Sequence, residues 1–335
     1  SPHTASVVNI SEGWEEDDHV HWTDRAFDYW ARHEFVLITK SAGNSGGSIT
    51  SPGKGWNLLT VGGFNDHDTM RWGDDTIYTS SAYTNPISPN GDREKPEIVA
   101  PAVNITTISA GNSLVIGTGT SYATPQVAGL AALLIDRNGT LSAWPEAIRA
   151  IIMASATHNI VGPTGIPTGQ ELRDGAGAIN AAFADDIAQN RNTSSTDPCE
   201  ESCWWDTGVY SSTTPVGEYI YRYFNAEAGQ YVRIAVSWWA RADSPGNNYA
   251  FDRLDTDFNL GVECCDGSWN WVSGAWSASW DNNYELVEFV APETGVYRIA
   301  IQRAQVYNDE TSNFVGIALL KLHRVYLPAV MRNYP

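Results

Sequence analysis

The 335-residue chain is poor in basic residues: 20 Lys and Arg stand against 39 Asp and Glu, a formal net charge of −19. That deficit excludes the electrostatic footprint by which proteins hold nucleic acid or anionic membranes, and it favours solubility in an exposed setting. Cysteine is scarce as well. The four present, Cys199, Cys203, Cys264 and Cys265, all lie in the second half, and no CxxC pair or adjoining histidine cluster makes a zinc site of them. One or two disulfides in a secreted domain is the simpler reading. Cys264 and Cys265 are adjacent and cannot both easily reach one partner, so Cys199 and Cys203 either bridge to one each or close a small loop of their own. No apolar run is long enough to span a bilayer. A signal peptide is also missing, yet the apolar residues of a buried strand begin within the first ten positions. The chain therefore reads as a mature, cleaved or truncated product of a secreted, extracellular protein.

What is abundant points to a folded protein. Hydrophobic residues make up 42% and charged residues 18%, far from the composition of a disordered chain, and the length allows two domains. Residues 1–187 alternate apolar strand-like runs (SVVNI, FVLITKSAGN, WNLLTVGG, EIVAPAVNITTIS) with helical patterns. TDRAFDYWARHEF has Thr23 as its candidate N-cap, and LSAWPEAIRAIIMASA is an amphipathic helix opened by Ser142. Such alternation predicts an α/β domain, a parallel sheet covered on both faces. Residues 188–198 lie within the small, polar, Pro-containing stretch AQNRNTSSTDPCEES and read as a linker. From 199 to 323 the period changes to two, with turns at Gly229 and at Pro292 to Gly295, which predicts an all-β antiparallel sandwich. Residues 324–335 form a tail.

The chemistry concentrates in GTGTSYATPQVAG, residues 117–129. Small residues crowd the mouth of a helix, Pro125 sits early in it, and Ser121 is presented where the helix N-terminus favours negative charge. Taken alone, Ser121 is an ordinary helix cap, and Asn44 in SAGNSG is an ordinary turn residue.

Several ordered segments carry a resemblance to the subtilisin-like serine proteases. GTSYATPQVAG (Gly119 to Gly129) resembles that family's serine motif, with Tyr122 where Met is usual and Gln126 where His is usual. SAGNSG (Ser41 to Gly46) resembles the segment bearing its oxyanion asparagine. KPEIVAPAVNI resembles the strand and turn before the serine, with Ala102 where Gly is usual. VVNISEG (Val7 to Gly13) resembles the substrate-binding strand, and DGAGAINAAFA the closing helix region. The resemblance implies that Ser121 attacks a peptide carbonyl while the Asn44 amide and the Ser121 N–H shelter the oxyanion. It further implies that Ser11, Glu12, Gly13, Ala42 and Gly43 line the site of a polypeptide substrate. The strand Ser11 to Gly13 would pair with that substrate through main-chain hydrogen bonds. Glu12 would either bias the subsites towards basic or small residues or stand as a solvated acid beside the acidic insertion WEEDDH. No cofactor is required.

That family orders its triad Asp, His, Ser, with both partners ahead of the substrate strand, and here only ten residues precede Ser11. His3 lacks the HGT context; His19, His21, His33, His67, His158 and His323 fall outside the family's order; and no DTG- or DSG-like acid motif is present. The expectation is a catalytic domain without its N-terminal part, whose partner is its own N-terminal fragment carrying Asp and His. Alone, such a chain is nearly inert. The alternative is a catalytically inactive binding protein that keeps the fold.

DTDFNLGVE and WDNNYELVEFVAPETGVYRIAI resemble the jelly-roll modules, of prepeptidase C-terminal or P-domain type, appended to secreted bacterial proteases of this family. Asp255 and Asp257, with Asp243 and Asp252 nearby, group oxygen ligands of the kind Ca²⁺ takes, or else cap turns. Eight of the fourteen tryptophans fall between Trp204 and Trp280. Exposed rings among them would stack on sugars, while alternation buries about half in the core.

Overall fold

The structure is a computed structural model that describes residues 5–158, 160, 173–199, 201–210, 214–265, 268–306 and 313–322. His3, His323 and the 324–335 tail lie outside the described residues.

The first half contains β1 (Val7–Ile10), α1 (Trp22–Glu34), β2 (Leu37–Ser41), β3 (Leu58–Asn65), β4 (Thr76–Ile77), β5 (Ile98–Pro101), β6 (Ile105–Ile108), β7 (Leu114–Gly117), α2 (Thr120–Arg137), α3 (Pro145–Ser155) and α4 (Ala181–Gln189). β1, β2, β3 and β5 are parallel neighbours in that order, and β4 adds antiparallel to the end of β3. Strand pleating sends alternate residues to opposite faces. Leu37 and Leu59 therefore join α2 and α3 in one core, whereas Ile38 and Leu58 join Ala31 of α1 in another. Helices on both faces of a parallel sheet were the expected α/β arrangement. The run EIVAPAVNITTIS divides, however: β5 ends at Pro101 and β6 turns back on β7 as an exposed hairpin.

Two helix starts differ from the sequence reading. His21, not Thr23, caps α1, because Asp24 in the first turn accepts the His21 backbone N–H at 2.8 Å, closing a reciprocal cap that an inspection for Ser, Thr, Asp or Asn overlooks. α3 begins at Pro145, and Ser142 belongs to a preceding 3₁₀ turn. Pro suits the first helical position because its missing N–H is one the helix leaves unsatisfied there.

The second half holds β8 (Cys203–Tyr210), β9 (Tyr219–Ala226), β10 (Tyr231–Trp238), β11 (Arg241–Ala242), β12 (Asp252–Arg253), β13 (Thr256–Cys264), β14 (Asn270–Ser277), β15 (Tyr284–Val290), β16 (Gly295–Val306) and β17 (Asn313–Leu322). They build two four-stranded antiparallel sheets, β15-β10-β17-β8 and β14-β13-β16-β9. These face each other across a core that includes Trp204, Trp238, Phe258, Leu260 and Ile299. β11 and β12 form a small ribbon. Cys264 and Cys265 are joined to each other, an arrangement the sequence reading set aside, and Cys203 is buried away from them.

Every residue of α3 is buried, which an amphipathic pattern does not require. The cause is the second half of the chain: the outer surface of the β15-β10-β17-β8 sheet covers the helix, and Trp205, Ala235, Ala318 and Leu320 join its core. Gly316 of β17 permits this contact, since a Cβ there would stand 2.4 Å from the backbone of Glu146 and Ala147. Arg149 of α3 ties three segments together, donating to Trp56 O at 3.0 Å, Asn283 Oδ1 at 3.0 Å and Glu97 Oε1 at 2.7 Å. Along the 188–198 stretch, Asn192 N donates to Trp205 O at 2.9 Å and Arg191 bridges β8.

Candidate active site

Ser121 is the second residue of α2, whose N-cap Gly119 has φ 149°, a value that L side chains rarely adopt and glycine does freely. The first backbone N–H groups of the helix have no partner within it, so the Ser121 amide is available at the positive end of the helix dipole. Pro125 follows four residues later. Having no N–H, it cannot bond the Ser121 carbonyl as an ordinary helix would. That carbonyl instead accepts the Ser11 hydroxyl at 3.0 Å, and the Ser121 Oγ donates to the Ser11 carbonyl at 2.8 Å. The nucleophile candidate and the end of β1 are thus locked reciprocally.

Asn44 stands beside them. Its Oδ1 accepts the Thr120 backbone N–H at 2.8 Å and the Thr120 hydroxyl at 3.2 Å. A Cβ placed on Gly119 would lie 3.3–3.6 Å from the Asn44 amide group. With Oδ1 held, Nδ2 is the donor left, and it has no hydrogen-bond partner among the described residues. Asn44 is thereby held against Thr120, the residue before Ser121, at the mouth of α2. Thr120 is the residue that sequence reasoning missed: its hydroxyl also accepts the Gly43 N–H at 3.2 Å, so one side chain sets both the asparagine and the turn that carries it.

The five substrate residues separate into two groups. Ser11, Glu12 and Gly13 continue from β1 towards Ser121, Glu12 and Gly13 are exposed, and no hydrogen bond within the described residues uses the backbone of either. Gly13 is forced to be small, because a Cβ would meet Ser51 O at 2.6 Å and Lys40 Nζ at 2.8 Å. Gly43, at φ 114°, packs on Thr50 and gives its carbonyl to Ala82 N at 3.0 Å. Ala42 is fully buried, with its N–H on Val61 O and its carbonyl on Thr50 N, both at 2.9 Å. Ala42 supports the wall from behind.

Lys40 was not singled out in the sequence, yet it lies buried beneath Gly13. Its ammonium donates to the Ser41 carbonyl and to Thr50 Oγ1 at 3.1 Å, and burial pushes its pKa down to about 7. The three unusual motif positions are accommodated locally. Ala102 sets its methyl against Gly63, where a Cβ would come within 2.4 Å. The Tyr122 ring covers Gly117, which has no Cβ to obstruct it. Gln126 Nε2 donates to Pro101 O at 2.8 Å and Tyr122 O at 2.9 Å, fastening α2 to the end of β5.

Among the described residues no histidine bonds Ser121. His21 bonds Asp17 at 2.8 Å, His67 bonds Thr76 Oγ1 at 3.0 Å, and His158 bonds Asp174 at 3.1 Å. The four aspartates grouped from the sequence do not converge on one point. Asp243 caps its own turn, accepting Ser244 N and Asn247 Nδ2. Asp255 is surrounded by Arg32, Arg241 and Arg253 at 3.5–4.0 Å, and Asp252 faces Asp28 and Arg93. Asp257 faces Asp92 and Asp281.

Ser121 at the mouth of α2 thus stands beside Asn44 and the end of β1, where Glu12 and Gly13 leave their backbone groups without partners among the described residues. The profile of the subtilase family matches residues 1–183, more than half of the chain, and the chain belongs to that family. It is 33% identical to the serine protease AprX of Bacillus subtilis (strain 168), over 35% of this chain and 29% of AprX. It is also 33% identical to the thermophilic serine proteinase of Bacillus sp. (strain AK1), over 40% and 29%. Against subtilisin-like protease 1 of Pseudogymnoascus destructans the identity is 36%, over 38% and 28%. The matches span less than a third of the length of these curated relatives. Among solved structures, the prenylagaramide maturation protease PagA aligns with a TM-score of 0.44 and 25% identity, over 55% of this chain and 61% of that one.

Proposed function

We propose that this chain is the serine-bearing portion of a secreted subtilisin-type endopeptidase, with Ser121 as nucleophile. The observation that supports the reading is that Thr120, the residue before Ser121, holds Asn44 by its Oδ1 and so leaves Nδ2 as the donor at the mouth of the helix. Extended substrate adds beside Ser11–Gly13 by main-chain hydrogen bonds, with Glu12 exposed at the subsites and Gly43 forming the turn behind Asn44. The carbonyl carbon is attacked by Ser121 Oγ, the carbonyl oxygen becomes an anion between the two donors, and the acyl-enzyme forms as the amine leaves. Attack needs a base to take the hydroxyl proton. In this reading the base and its orienting acid come from a separate N-terminal segment of the same protein, docked along β1, which pairs only with β2 among the described residues and so offers an open edge. Its histidine would replace the Ser11 carbonyl as the partner of Ser121 Oγ. The two antiparallel sheets are an appended jelly-roll module reached through residues 188–198.

A fluorophosphonate probe tests this on the chain combined with the segment carrying histidine and aspartate. Ser121 becomes labelled and Ser121→Ala does not; absence of labelling in the combined protein overturns the assignment. The second reading, a binding protein that has kept the fold without catalysis, is favoured by one observation, the commitment of Ser121 Oγ to the Ser11 carbonyl.

A further inference from the structure

The tryptophans of the second half differ in exposure. Trp204, Trp205, Trp238 and Trp239 are core residues, whereas Trp271 and Trp276 on β14 are 49% and 45% exposed. Both exposed rings lie over the outer face of the β14-β13-β16-β9 sheet. They meet edge to face at 4.9 Å, and Trp271 reaches Tyr219 on β9 at 6.5 Å, where Tyr219 stacks on Tyr221 at 5.6 Å. Aromatic surface therefore runs across all four strands, a width of about 14 Å at the usual strand spacing of about 4.8 Å.

The sheet is shaped for this. Gly261 on β13 sits under the two indoles, and a Cβ there would come within 2.5 Å of each ring. Any other residue would lift them off the sheet. Between Glu263 and Gly261 the β14 strand shifts register, pairing Trp271 with the first and Trp276 with the second, which re-aims both side chains onto one face. The polar groups among the rings are closed on one another: Arg298 Nε donates to Glu263 Oε2 at 2.6 Å while its guanidinium lies over Tyr221 at 4.3 Å, and Asn259 Nδ2 donates to Gln302 Oε1 at 3.3 Å.

We propose that this face binds a neutral polysaccharide of pyranose units. On a chain of net charge −19, the charges here cancel as one ion pair, which matches an uncharged occupant. Pyranose rings present flat C–H faces to aromatic rings and hydroxyls to planar side chains such as the Asn259 and Gln302 amides. An exposed, ordered aromatic surface of this kind marks a binding site. Bound there, the chain would be held on an insoluble glycan, whatever chemistry the Ser121 site performs.

Isothermal titration of the full chain with cellohexaose and with chitohexaose tests this, the two arms separating a glucan from an N-acetylated glycan. Saturable binding of either is expected. Trp271→Ala and Trp276→Ala should each weaken it at least about tenfold, as loss of a central aromatic anchor does, while Trp271→Phe keeps most of it. Gly261→Val, which displaces both rings without deleting either, should also abolish binding in a chain whose circular dichroism and melting remain those of the parent. Failure of both oligosaccharides to bind overturns the proposal, and so does binding that is unchanged in Trp271→Ala and Gly261→Val.

Discussion

At Ser121 and Asn44 the backbone is set by small residues, while Thr120 holds the Asn44 side chain and the Ser11 carbonyl holds the Ser121 hydroxyl. Asn44→Ala removes the proposed oxyanion donor without touching the core, since Asn44 is exposed. In the enzyme completed with its base, kcat should fall about 10²- to 10³-fold with KM little changed, a magnitude known from subtilisin itself. Steady-state kinetics on a peptide amide checks it. Lys40, buried beneath Gly13, carries a different prediction. Its folded pKa of about 7 lies below the ordinary 10.5. Burial thus favours the neutral amine, and the stability this contributes is present at high pH and is lost as pH falls from about 10 to about 7. Lys40→Met should therefore gain in melting temperature over the parent as pH is lowered through that window, with no further gain below about pH 6. Equal gains at pH 6 and pH 10 would refute the buried-amine account.

At the scale of elements, the contact of α3 with β17 depends on the absence of one side chain. Gly316→Ala drives a methyl group against helix backbone that has no rotamer by which to yield. Overpacking of this kind costs about 1–3 kcal/mol, readable as a lowered urea midpoint. Gly139→Ala, where a Cβ meets nothing within 4 Å, serves as the control and should leave the midpoint unchanged or raise it. The helix also shows where periodicity misleads. Its apolar pattern was legible and its existence was predicted, but its second buried face was not, because the sheet that covers it is built from strands that begin only at Cys203. The cap of α1 was missed for a local reason: His21 caps by giving its backbone N–H to Asp24, a role that residue type alone does not announce.

Across the whole molecule, the seam between the α/β half and the sheets gathers acids that burial holds protonated. Glu146 of α3 is pushed up to about 7, Asp257, facing Asp92 and Asp281, to about 7, and Glu285, facing Asp257 and Asp92, to about 8. Each of these groups binds its proton more tightly folded than unfolded, so the stability it contributes is complete below about pH 4 and is lost as pH rises through 7 to 8. The melting temperature should accordingly fall between pH 5 and pH 8.5, and Asp257→Asn with Glu285→Gln should flatten that slope. A melting temperature independent of pH across this range, or a slope undiminished in the double variant, would show that these carboxyls do not govern the seam.

The sequence by itself determined the α/β class, the change to period two beyond residue 198, and the motifs around Ser121 and Asn44 that mark the subtilase family. Those features are written in local patterns: alternation, glycines where positive φ is needed, and a proline four residues after the serine. Only the tertiary structure decided that Cys264 joins Cys265, that Asp243, Asp252, Asp255 and Asp257 take separate partners, that Lys40 is buried under Gly13, and which tryptophans face solvent. Each of these turns on which surfaces meet across long stretches of chain. Burial, counter-charge and a missing Cβ such as that of Gly261 take effect only once distant segments are packed together.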